Sequence, residues 1–530
     1  MSSKIVFVRL LSVIALVAAL SAQDTDTVLR VTSRLVQISV IAQDKNGNPV
    51  RDLTKDDFVL TDYKEPQPIS IFSLEAAEPN SAPPEPAEKP GPLTITNRGV
   101  HANSRPMAVT VILFDALNIG SDDLQYGKNA VVRFLRTLHP GDPVAVYSIR
   151  GPQVRVVHDF TEDTASLIAA ANNLSGTRVL GGSTLIGSGA DDRAPTRLKA
   201  EWTLTALEVV ARHLNGVPGR KNMIWISSGI PMNIGLDPAL FNAARQAGVD
   251  QQLEDYGSRL HRIARILAEA NVAVYPIDPA GVRTDPLKTA LQIGNEQFSG
   301  HMVTAGGASA PQLETMRTIA ALTGGLAYFN NDIEGNIRRA TDDARITYTL
   351  GFYPAQQSWD GKFHDLQVIV KRPGVQVRTR SGYFAASVAE LRPEREQSLK
   401  LAVASPLEGA AIGIKVNVQS NPLQFYGQEM TVEIDPRDLL FEQKQGRMRA
   451  NVDAVFAQLS KNGRLVRGEK KTVIFNLTPE SYDDALATGV FLTEQITIER
   501  NTSRVRVVLQ DASTGAVGSV SIPVRGTGLN

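Results

Sequence analysis

Four stretches of this sequence place oxygen-bearing side chains where an apolar run gives way to a loop. Asp115 follows Val111, Ile112, Leu113 and Phe114. Ser227 and Ser228 follow Met223, Ile224, Trp225 and Ile226, and Asp278 follows Val274, Tyr275, Pro276 and Ile277. The fourth stretch is the glycine-rich turn Gly181, Gly182, Ser183, Thr184. Carboxylate and hydroxyl oxygens converging on one place are what a hard divalent cation needs. Enzyme signatures are missing by comparison. There is no His-Glu-x-x-His, no Gly-x-x-x-x-Gly-Lys-Ser/Thr and no Gly-x-Ser-x-Gly, and Gly127-Lys128 lacks both the following hydroxyl and the upstream glycine. The seven histidines, His101, His139, His158, His213, His261, His301 and His364, are dispersed and read as surface or packing residues. A triad of Ser228, a distant histidine and Asp278 stays open as a hydrolase alternative. With no cysteine in the chain, disulfides, thiolate catalysis and sulfur-ligated metals are excluded, as is a lipidated bacterial N-terminus.

The elements that position these residues follow from periodicity. Short apolar runs at 108–114, 144–149, 223–227 and 272–277 predict strands. Steps of three, four and seven predict helices carrying Leu124, Val131, Phe134, Leu135 and Leu138, then Leu204, Leu207, Val210 and Leu214, then Leu253, Tyr256, Leu260, Ile263 and Leu267. Ser121, Asp122 and Asp123 mark one helix start; Gly324 and Gly325 close a helix with Leu313, Met316, Ile319 and Leu322. Alternating strand and helix implies an α/β fold with a doubly wound, mostly parallel sheet. Ligands of such sheets sit at the carboxyl ends of the strands, so the four stretches belong to one edge.

On either side the pattern is that of β-structure, predicting two flanking Ig-like sandwiches. Residues 24–75 alternate in strand fashion and turn at Asn46-Gly47; Asp44, Asn46 and Asn48 mimic the start of a calcium loop, but Pro49 and Lys55 stand where its glycine and glutamate belong. Residues 76–106, with Pro79, Pro83, Pro84, Pro86, Pro90, Pro92 and Pro106, read as a linker. The α/β unit with its closing strands is assigned to 107–385, and a C-terminal β-sandwich to 399–530. The stretch 283–311 lacks periodicity and reads as a long recognition loop beside Asp278.

These residues carry a resemblance. The run Val111 to Asn118 (VILFDALN), then RFLRTLHPGD at 133–142, KNMIWISSG at 221–229 and VAVYPIDP at 272–279 resemble the von Willebrand factor A domain, in the secreted bacterial family abundant in acidobacteria. LTGGLAYFN at 322–330, YTLGFY at 348–353, RTRSGYF at 378–384 and the stretch 48–72, with Leu53, Thr54, Lys55, Asp56, Asp57 and Phe58, extend it over about 28–384. The resemblance implies a metal-ion-dependent adhesion site: an Asp-x-Ser-x-Ser loop, a threonine and a second aspartate hold a cation completed by a partner's carboxylate. Here Asp115 and Thr184 match, whereas Leu117 and Ile119 replace the serines and Ser228 replaces the second aspartate. The ligand set carried over is Asp115, Asn118, Thr184 and Ser228, for Mg2+, Mn2+ or Ca2+ bound weakly or not at all. Asp122 and Asp123 suffice as first-turn helix acids, and Asp191 and Asp192 as solvated loop acids.

The balance of 55 Lys+Arg against 55 Asp+Glu argues against a nucleic-acid partner. Lys4 and Arg9, the apolar run from Leu10 to Leu20 and the exit at Ala22 predict a signal peptide over 1–22; a membrane anchor normally needs roughly 20 apolar residues. No later run is long enough, so no membrane insertion is expected after its removal. Together these features predict an exported, non-enzymatic protein that binds a protein ligand through Asp115, Ser183, Thr184, Ser227, Ser228 and Asp278. A scaffold acting through the β-domains is the alternative.

Overall fold

The computed structural model describes residues 35–76, 94–97, 109–138, 142–174, 193–217, 219–230, 250–281, 310–354, 359–386, 388–420 and 427–524. The described residues begin with β1 (Val36–Gln43), β2 (Phe58–Asp62), β3 (Glu65–Gln67) and β4 (Ile71–Ala76), followed by the short β5 (Thr94–Thr96). Then come β6 (Val109–Asp115), α1 (Ser121–Leu135), β7 (Val144–Arg150), β8 (Gln153–Thr161), α2 (Thr164–Asn172) and α3 (Arg193–Leu214). The α/β alternation continues through β9 (Lys221–Ile226), α4 (Asp250–Glu269), β10 (Val272–Ile277), α5 (Ala310–Thr323) and α6 (Ile333–Asp342). Next are β11 (Ile346–Phe352), β12 (Phe363–Val370), β13 (Gln376–Arg378), β14 (Gly382–Phe384) and α7 (Val388–Ala404). The C-terminal part holds β15 (Ile414–Ser420), β16 (Gly427–Ile434), β17 (Glu442–Lys444), β18 (Arg447–Leu459) and β19 (Leu465–Leu477). It ends with α8 (Pro479–Thr488), β20 (Val490–Thr497), β21 (Arg504–Asp511) and β22 (Val517–Pro523).

The central sheet has the order β10-β9-β6-β7-β8. Its pairs are parallel except β7 with β8, which is antiparallel because Gly151, at φ +64°, turns the chain directly back on itself. All residues of β6, β9 and β10 are buried, as strands covered on both faces must be. Alternation sorts them. Val111, Leu113, Met223, Trp225 and Val274 pack with the buried faces of α3, α4 and α5; Ile112, Phe114, Ile224, Ile226 and Tyr275 pack with α1, α2 and α6. The predicted helix stripe Leu204, Leu207, Val210, Leu214 is wholly buried in the first cluster. Helix α5 stops where Gly324 takes φ +79°, and a Cβ on the next residue, Gly325, would lie 1.9 Å from the Val274 carbonyl oxygen.

Two expectations about the flanks are corrected. The closing strands do not belong with the parallel sheet: β1 pairs with β11 and β13, β4 with β11, and β2 with β12. Two sheets, β13-β1-β11-β4 and β14-β12-β2-β3, thus enclose one core that includes Ile38, Val40, Leu60, Tyr348, Leu350 and Leu366. The α/β unit is an insertion between the halves of this N-terminal β-unit. The apolar faces of β1 and β2 are too few to bury one another, and β11 and β12 widen the two sheets that enclose the core. Secondly, the proline-rich stretch is not only a linker, because β5 pairs with β15. The C-terminal unit therefore comprises the sheet β20-β16-β15-β5 and a second sheet of β17, β18, β19, β21 and β22, packed around Val416, Val432, Val452, Phe456 and Val507. Helix α7, which sequence periodicity did not reveal, covers Val508 and Val517 with Leu399 and Ala402.

Candidate functional site

Strand β6 is the point where the strand order reverses, with β7 on one side and β9 on the other. The carboxyl ends of β6 and β9 flank this switch point, which is where open α/β sheets make their crevice. Asp115 ends β6 and is completely buried. Its Oδ1 accepts from the Leu117 amide at 3.2 Å. Its Oδ2 accepts from Asn118 Nδ2 at 2.8 Å, Ser227 Oγ at 2.9 Å and Trp225 Nε1 at 3.3 Å. Trp225 and Ser227 reach the same oxygen because residues two apart on a strand share a face. Burial raises the Asp115 pKa from the ordinary carboxylate value, and the four donors oppose that rise.

Asn118 extends the linkage, since its Nδ2 also donates to Thr203 Oγ1 on α3 at 2.8 Å. Ser228 Oγ donates to Asp278 Oδ1 at 3.1 Å, and the same oxygen accepts from the Ala280 amide at 3.0 Å. The Ser227 amide donates to the Ile277 carbonyl at 3.1 Å. The ends of three adjacent strands, β6, β9 and β10, are thereby joined side chain to side chain. Gly229 holds φ +80°, and a Cβ there would lie 2.7 Å from the Gln312 carbonyl of α5, so the turn after Ser228 lies directly on that helix.

Burial corrects the direct-contact role expected for these side chains. Asp115, Ser227, Ser228 and Asp278 are buried, so in this conformation they shape the edge rather than form its surface. Ser183, Thr184, Asp191, Asp192 and nearly all of 283–311 lie outside the described residues. Among the described residues, the exposed groups at this edge include positions not among the expected site residues. Tyr126 on α1 is 43% exposed and its hydroxyl donates to the Asn331 carbonyl at 3.0 Å. Asn330, Asn331 and Asp332 are exposed, and they follow Tyr328, which forms a parallel bridge with Ile277. Asp332 caps α6 by accepting from the Gly335 amide at 2.9 Å. The only sequence signal was the Asn330-Asn331-Asp332 polar cluster before a helical pattern.

The described donor set does not fit a divalent cation. The oxygens of Asp115 already receive four N–H or O–H donors, and Asn118 turns its amide nitrogen, not its oxygen, toward Asp115. Among the described residues no group of three His, Asp or Glu side chains is arranged to hold a metal. Nor does a described histidine bond to Ser228: His158 meets the Asp159 carbonyl, His213 meets Tyr147 and the Glu408 carbonyl, His261 meets the Gly257 backbone and the Phe384 ring, and His364 meets Asp62, Asp360 and Tyr383.

No protein-family model matches the chain, and no curated protein matches it. Among solved structures, an aerotolerance-related membrane protein from Bacteroides fragilis is similar at 11% identity and a TM-score of 0.26, over 45% of this chain and 98% of that one. BatB from Bacteroides thetaiotaomicron is similar at 15% identity and a TM-score of 0.25, over 44% and 99%. The Rpn10 VWA domain follows at 15% identity and a TM-score of 0.20, over 41% and 94%. Likeness at this level carries no functional weight, and the α/β assignment stands on the strand order itself. Among the described residues no helix is long and apolar enough to cross a membrane.

Proposed function

We infer that the chain is an exported, non-enzymatic protein-binding protein whose central unit is of the von Willebrand factor A type. Its contact surface is the carboxyl edge of the parallel sheet, and the partner is a protein. The observation that carries this reading is the pair of bonds Ser227–Asp115 and Ser228–Asp278, which fixes three strand ends at the switch point. A preorganised edge lowers the ordering cost of association. Tyr126 and Asn331 supply an aromatic and an amide on the rim above it, residue types suited to a protein contact. Recognition proceeds without a cation, because Asp115 is occupied as a hydrogen-bond acceptor.

The test is partner capture from an envelope extract by the mature chain. The double variant Tyr126→Ala/Asn331→Ala is expected to lose at least tenfold of the captured partner, while Phe491→Ala on the C-terminal unit leaves it unchanged. A second reading, a scaffold that associates through its β-units, is favoured by the 59%, 51% and 53% exposure of Leu465, Ile474 and Phe491. The opposite pattern of losses supports that reading.

A further inference from the structure

Strand β5 reaches the C-terminal unit from outside it. The chain leaves the N-terminal β-unit at Ala76, lays Thr94–Thr96 along β15, and enters the α/β unit at Val109. The connecting stretches 77–93 and 98–108 hold Pro79, Pro83, Pro84, Pro86, Pro90, Pro92 and Pro106. Nothing of β5 is contiguous in sequence with the sheet it completes.

The contacts are specific for so short a strand. Thr94 Oγ1 donates to Asn417 Oδ1 at 2.5 Å, and Thr96 Oγ1 donates to the Ile414 carbonyl at 2.8 Å. Between them Ile95 packs against the core that contains Val416 and Val520. Asn97 then closes the end: its amide nitrogen donates to the carbonyls of Gly409 and Ile412 at 2.7 and 2.8 Å, and its side-chain oxygen accepts from the Ile414 amide at 2.7 Å. The edge of β15 thus reads a pattern of hydroxyl, apolar, hydroxyl and asparagine in extended form. This is strand addition, with main-chain bonds for affinity and alternate side chains for selectivity.

We propose that the β15 edge is a strand-acceptor site for the 94–97 segment of a second copy of this chain, exchanged reciprocally between two molecules. A second copy carries the matching pattern by construction. Because the donor segment joins β15 through its own four residues, with the proline-rich 77–93 before it and 98–108 after it in sequence, the same bonds form whether it comes from its own chain or from a neighbour's. This is the condition for exchange of an identical element between protomers. The balance between the two arrangements is set by effective concentration, so the exchanged dimer grows with protein concentration. Exchange also never leaves β15 as an open edge, which unpaired would invite indiscriminate pairing.

The chain's lack of cysteine makes the test clean. Thr94 and Asn417 lie directly opposite one another, and the adjoining bond from the Asn97 amide to the Ile414 carbonyl makes theirs a non-hydrogen-bonded pair. Such a pair has its Cα atoms about 4.5 Å apart, within disulfide range. Full-length Thr94→Cys and Asn417→Cys chains carrying different tags are mixed, oxidised and resolved without reductant. The expected product is a mixed-tag covalent dimer that rises with concentration. It should exceed by at least fivefold that from Lys461→Cys mixed with Asn417→Cys, and fall at least fivefold when Ile95→Asp is added to the donor chain. The double variant Thr94→Cys/Asn417→Cys guards against misfolding by reporting closure within one chain at low concentration. If it closes internally at every concentration and the mixture gives no dimer above the Lys461→Cys control, the edge serves only the chain's own segment and the proposal is overturned.

Discussion

Ser227 donates its hydroxyl to Asp115 Oδ2 across 2.9 Å, joining the carboxyl ends of two neighbouring parallel strands on either side of the switch point. The bond lets a buried carboxylate organise the edge, because Trp225 and Asn118 donate to the same oxygen from β9 and from the loop after β6. Asp115 therefore acts on the loops that surround it.

Replacing Asp115 by alanine strands the Trp225 indole N–H, the Ser227 hydroxyl and one bond of Asn118 at Oδ2, and the Leu117 amide at Oδ1. The expected loss is about 2–4 kcal/mol in chemical denaturation, from buried donors at about 1–3 kcal/mol each. Asparagine keeps an acceptor oxygen for those three donors but opposes its own NH2 to the Leu117 amide, so Asp115→Asn is expected to lose less. Burial raises the folded-state pKa of Asp115, so its favourable contribution is complete below the ordinary carboxylate value and is lost as pH rises through the raised one. Stability of Asp115→Asn is accordingly flatter with pH across that window.

His213 provides a second pH prediction. Its Nδ1 donates to the Glu408 carbonyl at 2.5 Å, linking α3 to the C-terminal unit, while Nε2 meets Tyr147 Oη at 3.1 Å and Phe160 stacks on the ring. Burial lowers its pKa, and the Glu408 carbonyl and the Asp159 charge partly offset this. A lowered imidazole contributes stability that is present above its ordinary value and lost as pH falls through the lowered one. Amide-exchange protection around Glu408 should fall on acidification below the ordinary imidazole range. In His213→Gln the pH dependence should be smaller, and an unchanged dependence would assign it to another group.

Lys221, at the start of β9, is buried with its Nζ donating to the Val217 carbonyl at 2.6 Å. Burial lowers its pKa to about 7, against the opposing pull of Glu75. Its contribution is thus present above the ordinary lysine value and lost as pH falls toward 7. Lys221→Met is expected to be more stable than the wild type at pH 6, with the advantage shrinking above pH 10, as read from urea midpoints at both values.

Titration of magnesium or manganese into the mature protein should give no binding heat and no thermal shift, with Asp115→Ala behaving in the same way. A heat that Asp115→Ala abolishes would show that the four donors yield to a cation.

Much of this was legible from residue spacing. The strand 272–277 and the stripe Leu204, Leu207, Val210, Leu214 follow from local pattern, because a doubly covered sheet and an amphipathic helix each leave their period in the sequence. The position of Asp115 at a strand end was equally readable. Its burial was not, since the donors Trp225 and Ser227 come from elsewhere in the chain. The same non-locality hid the pairing of β5 with β15, because three residues carry no period and their partners lie in 415–417. Strand β8 was missed although Gly151 and Pro152 form its turn, and α7 because, among its described side chains, few apolar ones face a core.

In the proposed function the carboxyl edge of the parallel sheet makes the protein contact. This is tested most directly by placing a photoreactive phenylalanine at Tyr126 on that edge, or at Phe491 on the C-terminal unit, and irradiating producing cells. One discrete covalent adduct with a second protein is expected from position 126 and none from position 491. An adduct from position 491 alone would contradict it and place the contact on the β-units.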